Sequence, residues 1–326
     1  MRFISLLRAA TFGMLAAFPL EALAQSYPNR PVTLVVGYSP GGPIDIMGRG
    51  LAAKFTELWQ TQVIVENKPG ANEIIASVRV AKAEPDGYTL YLAGDPALTM
   101  NPYLHSKLAY DPEKDFRPIS RVFTVNMGLI VRGDVPANDL KSFIALMKQR
   151  GDDFNSASTS VGSGTYIGMA TIKQALGFKT PHLIYQGIAP AMQDMLGGSV
   201  HTLFAGFSAF AEHVPSGRVK VIAVSGPERW SALPQVATFA EQGYPDISVG
   251  FYTGLVAPAG TPDEVVQKVG ESLRRVMADQ SFLDRFIKPF DYRPHAETPQ
   301  EFVKFLAEDR ARSEYRIRAA NIQKLN

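Results

Sequence analysis

Val32-Thr33-Leu34-Val35-Val36 is an almost unbroken β-branched and apolar run, and it leads through Tyr38-Ser39-Pro40-Gly41-Gly42-Pro43 into an amphipathic stretch from Ile44 to Trp59. A strand that is apolar at successive positions belongs to a sheet covered on both faces, which points to a parallel layer with helices on either side. The next segments continue the pattern. A strand is expected at Val63-Ile64-Val65, a turn at Asn67-Lys68-Pro69-Gly70 and a helix from about Asn72 to Ala83. Pro85-Asp86-Gly87 then marks a turn before the strand Thr89-Leu90-Tyr91-Leu92. Strand, helix, strand, helix, strand in this order predicts a right-handed, doubly wound α/β layer.

A second alternating set begins beyond Arg132. Helices are expected over Leu140–Gln149, Tyr166–Leu176 and Ala189–Leu196, with strands over Phe154–Ser158, Pro181–Tyr185, Thr202–Ala205 and Val219–Val224. Pro262–Asp279 and Pro299–Ala319 read as C-terminal helices with charged outer faces. Single cores rarely grow beyond ~250–300 residues, so a chain of 326 suits two lobes of comparable size. The absence of a low-complexity linker implies that the chain crosses between them more than once and leaves a cleft.

Composition narrows the function. Apolar residues at 46% and charged ones at 20% exclude a disordered chain, and 33 basic against 31 acidic residues leave no footprint for nucleic acid or a membrane surface. Having no Cys, the chain offers no thiol nucleophile, disulfide or Cys-based zinc site. Residues 1–24 read as an export signal. Arg2 and Arg8 precede the apolar run Ala9–Leu20, and Ala22-Leu23-Ala24 is an A-x-A cleavage signal, so cleavage is expected after Ala24. The apolar run is shorter than the ~20 residues of a spanning helix. An exported, Cys-free chain fits the bacterial periplasm.

In open α/β sheets ligands sit beyond the carboxyl ends of strands, against helix N-termini. Several loops have that placement. Tyr38-Ser39-Pro40-Gly41-Gly42-Pro43 follows the first strand, and its glycines let backbone amides approach a ligand; the plainer reading is a tight turn. Asp45, in the first helical turn, is read as structural, since its charge would repel a bound anion. Gly94-Asp95-Pro96-Ala97 follows another strand. Ser156–Thr165 is rich in hydroxyls and includes Ser158, Ser163, Gly164 and Thr165. Gly162, Gly164 and Gly168 make GxGxxxG rather than the dinucleotide fingerprint, and no Lys accompanies them, so a carboxylate fits this loop better than a phosphate. A solvated Ser/Gly connection is the bland alternative. Tyr185-Gln186-Gly187-Ile188 repeats the plan of strand, glycine and helix start, and Gly206-Phe207-Ser208 adds an aromatic wall. No metal and no cofactor are expected.

The order of motifs resembles the Bug-type periplasmic receptors, the solute-binding proteins of tripartite tricarboxylate transporters. The likeness rests on Tyr27-Pro28-Asn29-Arg30-Pro31, Gly41-Gly42 with Asp45, Val65-Glu66-Asn67-Lys68-Pro69-Gly70-Ala71 and Pro85-Asp86-Gly87-Tyr88-Thr89-Leu90. It continues through Asn101-Pro102, Tyr110-Asp111, Asp115-Phe116-Arg117-Pro118-Ile119, Gly187 to Gly198, Arg229 to Glu241 and Ala257–Pro262, so it spans the whole exported chain.

This resemblance implies a two-lobed periplasmic-binding-protein fold, with a ligand cleft between two doubly wound α/β domains. It divides the chain into residues 25–128 plus 249–326 and residues 129–248. It implies carboxylates held by amides, hydroxyls and waters, with Tyr38, Ser39, Gly42, Ala97, Ser158, Ser163, Gly164, Thr165, Tyr185 and Gly187 as carried-over positions. Gly41, Pro43, Asp95 and Phe207 join them from the loops themselves. The implied partners are a small organic carboxylate and, transiently, membrane transporter subunits, with the receptor a monomer.

Three departures bear on the ligand. Ile184-Tyr185-Gln186-Gly187 lacks the family's Lys, and Ala205-Gly206 stand where an Asp is common, followed by Phe207 and Phe210. Tyr252 takes a place usually held by Trp. Losing the Asp weakens the case for an amino acid, whose ammonium wants a carboxylate, and added Phe favours a longer aliphatic or aromatic carboxylate.

Two other functions compete. A secreted Ser hydrolase would use Ser163 or Ser208, but Gly206-Phe207-Ser208-Ala209-Phe210 is not a nucleophile elbow, and neither HExxH nor a P-loop occurs. No catalytic residue is therefore assigned. A receptor for a membrane sensor kinase would use the same cleft.

Overall fold

The computed structural model describes residues 27–159, 161–185 and 187–325; the expected export signal and its cleavage point after Ala24 lie outside them. Strands β1 (Val32–Val36), β2 (Val63–Asn67) and β3 (Thr89–Gly94) pair in parallel with β1 in the middle, in the registers Val32↔Val63 and Thr33↔Thr89. Helices α1 (Pro43–Trp59) and α2 (Ile74–Ala81) join them. A short helix α3 (Asn101–Leu104) follows β3 and a π-helical turn.

Then comes an element that sequence periodicity does not display. β4 (Phe116–Arg132) is a 17-residue strand belonging to both halves of the sheet. Its first part pairs antiparallel with β9 (Gly250–Pro258), from Phe116↔Pro258 to Asn126↔Gly250, and β10 (Tyr292–Pro294) adds to its other edge. Its last part, from Met127 or Gly128 on, pairs antiparallel with β7 (Thr202–Gly206) and β8 (Val219–Val224). β5 (Ser156–Ser158) and β6 (His182–Ile184) extend from β7 in parallel. The hydrogen-bonded order is β2-β1-β3-β9-β4-β7-β5-β6. The chain thus passes out of the first lobe within β4 and returns at β9.

Each lobe has three layers because its strands alternate core residues between two faces. In the first lobe Leu34, Val36, Leu90 and Leu92 pack under α1 and α7 (Asp263–Met277), against Met47, Phe55, Val269 and Leu273. Val35, Tyr91 and Ala93 face the opposite way, toward Ala76 of α2 and Phe302 and Leu306 of α9 (Pro299–Ala319). In the second lobe Leu129, Val131 and Phe204 meet α4 (Leu140–Arg150) and α5 (Gly164–Leu176). Ile130, Leu203 and Ala205 meet α6 (Ile188–Gly197) and Trp230. The remaining helix, α8 (Gln280–Phe286), packs Phe282 into the first core.

Gly168 of the imperfect glycine motif has a packing role: a Cβ there would overlap the fully buried Phe204 ring. Gly168→Ala should therefore destabilise the protein by about 1–3 kcal/mol, read from urea unfolding, because neither α5 nor the ring can yield without moving its neighbours.

Candidate functional site

A cavity of about 840 Å³ opens where the two lobes meet. Its construction follows from where the strands stop. After β1 the chain turns through Tyr38–Pro43, Gly42 sits extended as the N-cap of α1, and Pro43 occupies the first helical turn. After β5, Ser163 caps α5, its Oγ accepting from the amide of Tyr166 at 3.2 Å. After β6, Gly187 starts α6 with φ 136°, a backbone region that only glycine enters without strain. Tyr38, Ser39, Gly41, Gly42, Pro43, Ser163, Gly164, Thr165 and Gly187 all line the cavity. Three helix N-termini from two lobes therefore converge on one space, each presenting amides without intrahelical acceptors and a partial positive charge.

Among the described residues, none that lines the cavity carries a charge. Hydroxyls supply the polarity on the second lobe: Thr165 Oγ1 lies 2.9 Å from Ser163 Oγ and 3.0 Å from Thr159 Oγ1, and accepts from the Thr159 amide at 3.0 Å. These bonds fix the hydroxyls before any ligand arrives. They also occupy Ser163 Oγ as a helix cap, which is a structural use of the group. Apolar walls complete the cavity, with Val125 and Met127 at the point where β4 changes lobes and Phe251 and Tyr292 from the first lobe.

Asp45 is turned away from this space. Its carboxylate accepts from the Gly41 amide (2.8 Å), Asn67 Nδ2 (2.8 Å) and Arg49 Nε (2.9 Å), so it ties the first loop to α1 and β2. Burial pushes its carboxyl up, but the bonds from Arg49, Gly41 and Asn67 outweigh that and hold it below the usual range. Asn67 Nδ2 also donates to the Tyr38 carbonyl at 3.0 Å, fixing the loop at a second point.

Five sequence-predicted residues do not line the cavity. Asp95 and Ala97 are buried at the start of the π-helical turn, and Pro96 between them reaches the space instead. Ala97 packs in the core with its carbonyl accepting from Tyr110, while Asp95 Oδ1 has no hydrogen-bond partner among the described residues. Ser158 is fully buried, and Thr159 beyond it faces the cavity. Tyr185 directs its hydroxyl to Asp194 on α6, at 2.7 Å. Phe207 lies against Phe210 and Trp230, and its neighbours Gly206 and Ser208 take the lining positions. Side chains alternate at a strand end, so the loop is identified while the residue is displaced by one. The Phe207–Phe210 pair thus lies outside the apolar wall, and Tyr252 faces the opposite side, with its hydroxyl 3.2 Å from Thr99 Oγ1. Sequence reading did not reach Val125, Met127, Phe251 and Tyr292, because apolar strand residues look the same whether they end in a core or a cavity, nor Asn72, which it placed at the start of a helix and which sits in a left-handed turn before α2.

Residues 47–322 match the family described as tripartite tricarboxylate transporter family receptor. Among solved structures the chain is similar to the periplasmic binding protein BugD, with 32% identity and a TM-score of 0.80 over 92% of this chain and 100% of that one. A protein of R. palustris solved with adipate is 27% identical, with a TM-score of 0.83 and 92% and 100% covered. MatC from Rhodopseudomonas palustris, solved with bound malate, is 30% identical, with a TM-score of 0.78 and 89% and 100% covered.

Proposed function

The chain belongs to the tripartite tricarboxylate transporter receptor family, and from that premise we propose that it captures a small organic carboxylate between its lobes in the periplasm and delivers it to membrane transporter subunits. The observation that carries this reading is the convergence of three helix N-termini and a fixed hydroxyl cluster on a cavity whose described lining residues carry no charge. Oriented amides and hydroxyls stabilise a carboxylate without the desolvation cost of burying a Lys or Arg beside it. The structures solved with adipate and malate support a dicarboxylate or a related acid.

In this reading residues 25–128 with 249–326 form one closing body and residues 129–248 the other, and the exported protein works as a monomer. A ligand shifts the population toward the closed form only by the contacts it gains there, so amides from both bodies must be used. Closure then presents a surface that the membrane partner distinguishes from the open one.

The walls formed by Val125, Met127, Phe251 and Tyr292 favour a longer aliphatic or an aromatic acid. Among the described residues no acidic side chain lines the cavity to pair with an ammonium group, which disfavours amino acids. Isothermal titration with adipate, benzoate, aspartate and glutamate tests this. Adipate or benzoate should bind at least about tenfold more tightly than either amino acid, a difference of about 1.4 kcal/mol. Tighter binding of aspartate or glutamate would sink the assignment.

A further inference from the structure

We propose that Glu73, which does not line the cavity, is a positioning residue for it, holding Tyr38 and the turn that carries Asn72 in the cleft wall. The proposal rests on the reading of that cleft as the ligand site.

Ala71, Asn72 and Glu73 have φ of 47°, 51° and 70°, three successive non-glycine residues in the left-handed region. Asn tolerates this conformation, whereas Ala and Glu rarely adopt it, so neighbouring groups must hold the turn. Two do. The buried Asn101 clasps Asn72, its Nδ2 donating to the Asn72 carbonyl at 2.9 Å and its Oδ1 accepting from Asn72 Nδ2 at 3.1 Å. The Glu73 carboxylate accepts from Tyr38 Oη (2.7 Å), Tyr91 Oη (2.8 Å) and the Gly94 amide (3.1 Å). Room for this side chain exists only because Gly37 and Gly94 flank it. A Cβ on Gly37 would come within 2.7 Å of Glu73 Cγ, and one on Gly94 would overlap Oε1.

Glu73 is 2% exposed, and no Lys or Arg is hydrogen-bonded to it among the described residues. An uncompensated carboxylate is a costly way to fill space that an apolar side chain could occupy. Its contacts converge on the cleft. Tyr38, whose ring stands edge-on to Phe251 with centroids 6.3 Å apart, lines the cavity together with Phe251 and Asn72. The carboxylate thus joins the ends of β1 and β3 to the left-handed turn behind one wall.

The same geometry makes the grip sensitive to protons. Burial pushes the Glu73 carboxyl up to about 7, against the opposing effect of the bonds from Tyr38, Gly94 and Tyr91. The groups that face it are Tyr38, Tyr91, Tyr110 and Asp95, and behind Asp95 stand Asp309 and Arg316. Ionised, Glu73 accepts all three bonds; protonated, its own hydrogen competes with one donor. Ligand affinity should therefore rise between pH 6 and 8, a range in which the ligand's own carboxylates stay ionised.

The test titrates adipate, or benzoate or malate if either binds more tightly, into the wild type, E73Q, E73G, Y38F and the Y38F/E73Q double variant. E73Q keeps the shape and should lose about tenfold in affinity and the pH dependence together. E73G suits the positive φ, so it retains the fold, and should lose at least as much. In the Y38F background E73Q should cost little more, because Glu73 acts through Tyr38. Wild-type affinity in E73Q and E73G overturns the proposal, as do additive losses. An affinity that falls as pH rises also overturns it, since the ligand would then be sensing the charge of Glu73 rather than its grip. If the wild type binds none of the three acids, the reading of the cleft fails first, and this proposal with it.

Discussion

Gly164→Phe should remove ligand capture, weakening it on the order of 100-fold or more, while leaving unfolding free energy within about 1 kcal/mol of the wild type. Both halves of this expectation come from one position. Gly164 is the first residue of α5 and lines the cavity, and a Cβ built on it meets nothing within 4 Å. Its φ is not in the left-handed region, so an L side chain fits the backbone without strain. The added ring therefore enters open space, covers the first amides of α5 and competes for the volume that the ligand needs. Titration with the tightest acid of the panel, alongside urea unfolding, checks it. Near-normal affinity would mean that the ligand does not use this helix terminus.

Trp230→Ala should cost about 3–5 kcal/mol of stability, the range for a large aromatic removed from a core. Trp230 is 1% exposed, and its ring packs against Phe207 and Phe210 with centroids 5.6 and 5.5 Å away. It also fills the space left by Gly128 of β4, where a Cβ would overlap the ring. Its indole nitrogen has no acceptor among the described residues, so the loss is one of packing rather than of a hydrogen bond. The damage should reach the other lobe, because Glu228 pairs with Arg293 and Ser231 bonds Asp291, both beside Tyr292 of the cavity wall. Denaturant unfolding of Trp230→Ala and Trp230→Phe checks this, with the Phe variant closer to the wild type; equal, small losses in both would show that the cluster is not a packed unit.

Sequence was most informative where a local rule decides the outcome. β1 (Val32–Val36), β8 (Val219–Val224) and α9 (Pro299–Ala319) have the expected bounds, since each is a clean apolar run or is flanked by a proline and a cap. β4 was not legible. Its faces change partners when it leaves one lobe for the other, and register shifts at Pro118/Ser120, Arg121/Phe123 and Leu129/Ile130 break any period of two. Pro118 and the arginines Arg117 and Arg121 in its first half disguise it further. β9 carries two glycines, and β10 is only three residues long. For the cleft, Gly, Ser and Pro clusters after strands identified the loops, because helix starts demand them. The walls escaped because nothing local separates Val125 or Phe251 from core. Glu73 escaped because its burial depends on Gly37 and Gly94, which lie far from it in sequence.

The position of β9 also orders events in time. Residues 250–258 sit between β3 and β4, so while the chain is being made the open edge of β3 has no partner until its last third exists. Every strand of the second lobe lies between residues 127 and 224, and the residues that complete its cores, Trp230, Leu233, Phe239, Ile247 and Val249, also precede β9. The second lobe can therefore assemble first and serve as a template. The first lobe, with its pairing between distant parts of the chain, must bring the two ends together afterwards, and that long-range closure is the slow part of folding.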